Sequence, residues 1–250
     1  MIVKNLIKFT KLLVITSMLF LAVPEVAKAN DAESAIAPVP RTRAYPWMSI
    51  SKWFELHSED VAIAEAGEAK LLFWGNSITQ GWSWTQVWAE QFAPLGAANF
   101  GIGGDTTQNL LWRLDNGSVS ALNPEKIVLL IGTNNFGLSH HDPQEVSDGV
   151  TAVVDKLLTV YPEADILLMA IFPRDENAEH PTRAKIRTVN QSLQPLGDLE
   201  RVTYLDIGEQ FLLPDGTLSQ ELMPDFLHLS EAGYEIWAGA VLQWLDSFAD

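Results

Sequence analysis

The chain contains no cysteine. That absence excludes a disulfide framework, thiol chemistry, a cysteine-based metal site and a lipidated N-terminal cysteine, so stability has to come from packing. Basic residues are also scarce: 16 Lys and Arg face 32 Asp and Glu, a formal net charge of −16. So acidic a surface repels phosphate backbones and anionic lipid, which argues against nucleic acid as a partner; its plain use is solubility in a salty medium. The apolar stretch at 12–23 spans 12 residues and is followed by Pro24, well short of the roughly 20 that a spanning helix requires. Two familiar motifs are missing as well. There is no G-x-S-x-G elbow. GIGGDT lacks the last glycine of G-x-G-x-x-G, and no P-loop lysine follows it, so a nucleotide site is not indicated.

What is present begins with a leader-like segment. Lys4, Lys8 and Lys11 precede the apolar stretch, and Ala27-Lys28-Ala29 gives a small-x-small cleavage site before Asn30. This predicts a cleavable signal peptide over 1–29 and a secreted or periplasmic protein without stable membrane insertion. Cleavage leaves 221 of 250 residues; losing four lysines and one glutamate, the mature chain carries 12 basic and 31 acidic side chains, a charge of −19. Residues 30–46, rich in Ala and Pro and without periodicity, read as a poorly ordered mature N-terminus. The remainder, 47–250, reads as one domain with no internal linker or repeat.

Within it, apolar runs at 70–74, 97–100, 126–131, 165–171 and 202–206 look like buried strands, separated by stretches of helical spacing. In one of these, Val146, Val150, Val153, Val154, Leu157, Leu158 and Tyr161 mark a face, with Asp142 as N-cap, Pro143 at N1, Glu145 at N3 and Pro162 as the stop. The last helix is expected to bury Ile236, Trp237, Ala240, Val241, Trp244, Leu245 and Phe248. Continuous apolar strands alternating with helices predict an α/β fold with a parallel sheet covered on both faces. Ligands of such sheets sit beyond the carboxyl ends of the strands. Ser77, Gly104 and Asn134 each fall within a few residues of such an end.

Those residues suit acyl transfer. Ser77 ends the first strand run in LLFWGNSITQGW, and Asp225 and His228 stand three apart in PDFLHLSEAGY, before the last helix. A histidine that takes a serine's proton, and a carboxylate that fixes the imidazole tautomer, are the minimum set for that chemistry. The glycine turn in NFGIGGDTTQNLLWRL opens a helix and points backbone N–H groups at an anion, here the oxyanion of a tetrahedral intermediate. The Asn134 amide in IVLLIGTNNFG is a neutral donor suited to the same charge, although alone it would read as a turn residue.

The GNS, FGIGGDTTQNLLWRL, GTNN and DFLHL blocks, in this order, resemble the SGNH (GDSL-type) hydrolase superfamily, and within it esterases like the platelet-activating-factor acetylhydrolase type Ib catalytic subunits and their bacterial relatives. WMS at Trp47 and FPR at Phe172 add to the likeness, which runs from about residue 47 to the C-terminal helix. The resemblance implies a three-layer α/β/α sandwich with a flavodoxin-like, five-stranded parallel sheet. It implies Ser77 as nucleophile, His228 as general base and Asp225 as the residue orienting it. The oxyanion hole would comprise the Ser77 and Gly104 N–H groups and the Asn134 side chain. Neither a metal nor an organic cofactor is implied. The departure is Asn76, where the family usually has Asp: the turn-forming hydrogen bond can survive, but a negative charge beside the nucleophile is lost.

Ile78 and Leu227 flank nucleophile and base, in position to cap a small acyl pocket, which by resemblance favours acetyl-sized chains. Trp82, Thr133 and Phe136 are the other candidate substrate contacts. His140 and His141 precede Asp142, but adjacent side chains diverge, so a surface loop is expected rather than a metal site; His57 and His180 read as surface residues. The expected activity is a secreted serine esterase acting on short-chain esters, a small ester or an acetylated glycan among them. A lysophospholipase or thioesterase with a longer acyl groove, and an inactive binding relative, stay open as alternatives. Whether the protein is a monomer or a homodimer is not written in the sequence.

Overall fold

Five parallel strands form a single sheet: β1 (Leu71–Gly75), β2 (Ala97–Gly101), β3 (Lys126–Leu130), β4 (Asp165–Met169) and β5 (Val202–Leu205), in the order β2-β1-β3-β4-β5. The structure is a computed structural model that describes residues 34–117, 119 and 121–248. The expected signal peptide, 1–29, lies outside the described residues. Seven α-helices accompany the sheet among the described residues: α1 (Ile50–Ala66), α2 (Ser77–Gln80), α3 (Thr107–Asp115), α4 (Thr133–Gly137), α5 (Pro143–Val160), α6 (Pro181–Leu193) and α7 (Glu231–Asp246).

The strands are apolar throughout because each face of the sheet is covered. Leu72, Trp74, Ile127, Leu129, Ile166 and Leu168 pack into one cluster with residues of α3, α5 and α6. Their neighbours Leu71, Phe73, Val128, Leu130, Leu167 and Met169 point the other way, to Trp82, Phe92 and the apolar face of α7. A period of two thus divides each strand between two cores, and a fully buried aliphatic side chain contributes about 1.5–3 kcal/mol. Every expected strand is present, with ends moved by one or two residues. The α/β sandwich and its flavodoxin-like strand order are as anticipated.

Helix α5 has the expected capping box. Asp142 Oδ1 accepts the Glu145 N–H at 2.9 Å, and Glu145 Oε2 accepts the Asp142 N–H at 2.8 Å. In α7, Trp237, Val241 and Trp244 are buried, Ile236, Ala240 and Leu245 partly so. Phe248 departs from expectation. It lies two residues past the helix, is exposed, and receives Lys126 Nζ 3.6 Å from its ring centre.

The stretch expected to be poorly ordered is, from residue 34 onward, packed. Ala35 and Arg41 are buried, and the backbone is laced to the first turn of α3. Val39 N donates to Gln108 O at 3.1 Å, Asn109 Nδ2 to Val39 O at 3.0 Å, and Thr107 Oγ1 to Ala35 O at 2.8 Å. A strap held by hydrogen bonds to its own backbone needs no hydrophobic period, so composition gives no sign of it. Among the described residues no helix is long and apolar enough to cross a membrane.

The register carries the fold into function. Gly75 lies opposite Gly101 on one side and Leu130 on the other, so β1, β2 and β3 end level. The chain leaves β1 for β2 on one flank and returns to β3 on the other. The turns after these three strands therefore open side by side at the switch point of the sheet.

Candidate active site

Strand β1 runs into α2 through a turn that only glycine can begin: a Cβ on Gly75 would lie 2.1 Å from Thr79 Oγ1 and 2.4 Å from Leu130 O. Asn76, wholly buried, caps the turn by accepting the Ile78 N–H at 3.0 Å. Ser77 is thereby set at the first position of α2, half-buried. Its Oγ stands 2.8 Å from His228 Nε2 across 151 residues of sequence.

The histidine arrives on a tight turn ahead of α7. Asp225 Oδ1 accepts the N–H groups of Leu227 at 3.1 Å and His228 at 2.7 Å, while Oδ2 meets His228 Nδ1 at 2.7 Å. Phe226 between them adopts φ +58, a conformation rare for a bulky side chain and found where a site over-determines its backbone. Burial pushes the Asp225 carboxyl up, but hydrogen bonds from the His228 ring and backbone, and from Leu227, outweigh it and hold the group below the ordinary carboxylate range. A carboxylate on Nδ1 keeps the proton there and leaves Nε2 to accept from the serine.

Facing Ser77 are the turns after β2 and β3. Gly104 takes φ +77, and a Cβ there would meet the Trp47 ring at 2.4 Å. Asn134, on α4, donates through Nδ2 to Asp105 O at 3.0 Å, which fixes its amide beside the glycine turn. Beneath lies a buried ionic network. Asp105 accepts Trp53 Nε1 at 2.6 Å and Arg113 Nη1 at 2.8 Å. Arg113 also donates to Asp60, and to Phe100 O at 2.9 Å. Burial pushes the Asp105 carboxyl up against the pull of Arg113, Trp53 and Arg41. Burial lifts Asp60 to about 7, with Arg113 opposing and Asp105 adding to the rise.

These groups open on one cleft of about 710 Å³. Ser77, His228, Gly104, Asn134 and Leu227 line it, so the candidate nucleophile and base, the turns after β2 and β3 and one candidate acyl contact share a space, with Asp225 behind the imidazole. The other candidate contacts do not line it. Ile78 and Thr133 are buried, and Phe136 packs into the α5 side of the core. Trp82 is wholly buried, its ring 4.6 Å from Tyr234 and 4.9 Å from Trp237. The tryptophans on the cleft are instead Trp84, 75% exposed, and Trp47, 56% exposed, with the buried Tyr234 also on its wall. In the GWSW turn one tryptophan faces the core and the other solvent, an alternation that composition alone does not assign. Arg174 also lines the cleft, reaching Thr133 O at 3.4 Å.

Two histidine expectations change. His141 is buried, its Nδ1 3.1 Å from Asn135 Nδ2, rather than on a surface loop, and His57 is packed between Trp53 and Trp112. His180 is partly exposed and caps α6. Among the described residues no group of three or more His, Cys, Asp or Glu is placed to hold a metal ion.

Comparison with known proteins points the same way. Residues 73–236 match the GDSL-like Lipase/Acylhydrolase family. The chain is 38% identical over 184 residues to platelet-activating factor acetylhydrolase IB subunit alpha1 of Rattus norvegicus, covering 73% of this chain and 78% of that one. It is 40% identical to the alpha2 subunit of Mus musculus, covering 73% and 79%. Among solved structures it is similar to a putative platelet activating factor from Streptococcus pneumonia, with a TM-score of 0.65 and 27% identity over 77% of this chain and 92% of that one.

Proposed function

The chain belongs to the GDSL-like lipase/acylhydrolase family and is a carboxylic-ester hydrolase; we propose that Ser77 is its nucleophile and that short acyl groups, acetyl above all, are what it removes. His228 Nε2 takes the Ser77 proton as Oγ attacks the ester carbonyl. The oxygen that becomes negative is received by the N–H groups of Ser77 and Gly104 and by the Asn134 amide, where one such donor is worth about 2.7–4 kcal/mol in the transition state. Collapse expels the alcohol, which collects the proton from His228. Water activated by the same imidazole then releases the acid from the acyl-enzyme.

The observation that carries the reading is the linked pair of contacts, Ser77 Oγ to His228 Nε2 at 2.8 Å and His228 Nδ1 to Asp225 Oδ2 at 2.7 Å, at the mouth of a cleft. The acetyl preference draws on the names of the acetylhydrolase relatives and on Leu227 beside the base. Trp84 and Trp47 offer flat apolar faces to the alcohol half, which suits a sugar ring. The cleft volume favours one rival, a longer acyl chain, because about 710 Å³ exceeds what an acetyl group fills. Secretion after cleavage at Ala29 belongs to the same proposal, and its observable is a mature chain beginning at Asn30.

A panel of p-nitrophenyl esters on wild type beside Ser77→Ala tests the reading. The expected result is kcat/KM highest on the acetyl ester and lower on octanoyl, with Ser77→Ala down by about 10⁴-fold or more. Full activity in Ser77→Ala would remove the nucleophile assignment; an octanoyl preference would move the enzyme to the lipase side of its family.

A further inference from the structure

Gly103 and Gly104 share a peptide unit with no side chain on either flank, the unit most free to rotate in the whole site. In a trans peptide the C=O and N–H point in opposite directions, so whatever holds the Gly103 carbonyl also aims the Gly104 N–H. Arg41 holds it. Its Nη2 donates to Gly103 O at 3.0 Å and stands 3.6 Å from Asp105 Oδ1, bracketing Gly104 from both sides.

We propose that residues 34–48 are a strap that sets the oxyanion-binding geometry, with Arg41 as the positioning residue that orients the Gly104 N–H toward the cleft. Arg41 is 4% exposed, and among the described residues its Nε and Nη1 have no hydrogen-bond partner, while Nη2 makes its polar contacts to this turn. Its carbon lies 5.5 Å from the Tyr45 ring centre and 5.8 Å from that of Trp47, and those two rings stack at 5.0 Å. Trp47 closes over Gly104 from the same side. A charged donor on the carbonyl also polarises the peptide, making its N–H a stronger donor to a developing negative charge. The strap lies outside residues 73–236, so the part of the chain matched to the family reaches its working geometry with a brace supplied from elsewhere.

The inference rests on Gly104 serving as an oxyanion donor, and the experiment separates the two claims. Wild type, Arg41→Met, Arg41→Gln, Asn134→Ala and Ser77→Ala are compared on p-nitrophenyl acetate, with kcat normalised to sites titrated by the acyl-enzyme burst and, for Ser77→Ala, to protein concentration. Arg41→Met is expected to lose about 10–100-fold in kcat, the scale of a small misplacement at a reacting centre, with KM within about twofold. Inhibition by an aryl boronic acid, which forms a tetrahedral anionic adduct on serine, should weaken in parallel, and millimolar guanidinium should restore part of kcat. A merely structural arginine would reduce the number of titratable sites and leave kcat per site and boronate affinity unchanged. If Arg41→Met does not fold, Arg41→Gln, neutral but able to donate, is read by the same criteria. Wild-type kcat per site in the folded variant, with Asn134→Ala and Ser77→Ala impaired, overturns the strap alone. Wild-type kcat in Asn134→Ala and Ser77→Ala overturns the underlying site assignment instead.

Discussion

The two sides of the cleft are built on opposite terms. On the side proposed to move the proton, His228 and Asp225 have side chains 42% and 57% exposed and are three residues apart, joined by bonds within a single turn. On the side proposed to receive charge, the Asp105 and Arg113 side chains have no exposure, and the network joins residues up to 64 positions apart. The difference fits the roles proposed for the two sides. A histidine that exchanges protons with a serine, a leaving alcohol and water works at the edge of solvent. Donors that meet a transient negative charge act without reorganising, so they gain from a rigid, dry surround.

The contrast can be broken from either side with one substitution that removes a charge and keeps the shape. Asp225→Asn should lower kcat by about 10⁴-fold, the scale expected when the imidazole loses its correct tautomer, and leave the thermal midpoint nearly unmoved. Asp105→Asn should do its first damage to stability, about 3–5 kcal/mol by urea denaturation, because Arg113 and Arg41 stay buried with a partner lost. If the two carboxylates exchanged these signatures, the division of labour would be wrong.

A milder test uses pH. Asp60 holds its proton more tightly in the folded chain, at about 7, than the usual carboxylate range allows. Its contribution to stability is therefore full below that range and is lost as pH rises through about 7. The thermal midpoint should fall between about pH 5 and about pH 8, and Asp60→Asn should flatten that slope. An identical slope in the variant would mean that Asp60 is not the group responsible.

The smallest effect is expected at Asn76. Its Oδ1 already caps α2 as an aspartate would, and among the described residues its Nδ2 has no hydrogen-bond partner. Asn76→Asp should leave kcat on p-nitrophenyl acetate within about fivefold; total loss of hydrolysis would give the position more than a structural part.

The two sides also differ in how far the sequence announces them. Strands and long helices are legible because a period of two or 3.6 is a property of the chain itself, as at Val146 to Leu157. Ser77, Asp225 and His228 are legible because their motifs are local. The buried network is not. Asp60, Asp105 and Arg113 look like surface residues on or beside helices, and only the three-dimensional meeting of α1, α3 and the strap makes them internal. Arg41 hides for a related reason, in an extended stretch whose Ala and Pro content resembles a loose terminus. Trp82 and Trp84 show the finer limit: two residues of one kind, two positions apart, exchange the roles of core and wall through the turn of a short helix.

The central claim, that the turns after β1, β2 and β3 and the turn before α7 converge on one hydroxyl, has a direct test. Acid-quenched turnover of p-nitrophenyl acetate, digested and weighed by mass spectrometry, should place a single acetyl group on the peptide containing Ser77 and none in His228→Ala. Steady-state hydrolysis with that peptide unmodified, or with the acetyl group on another residue, would contradict it.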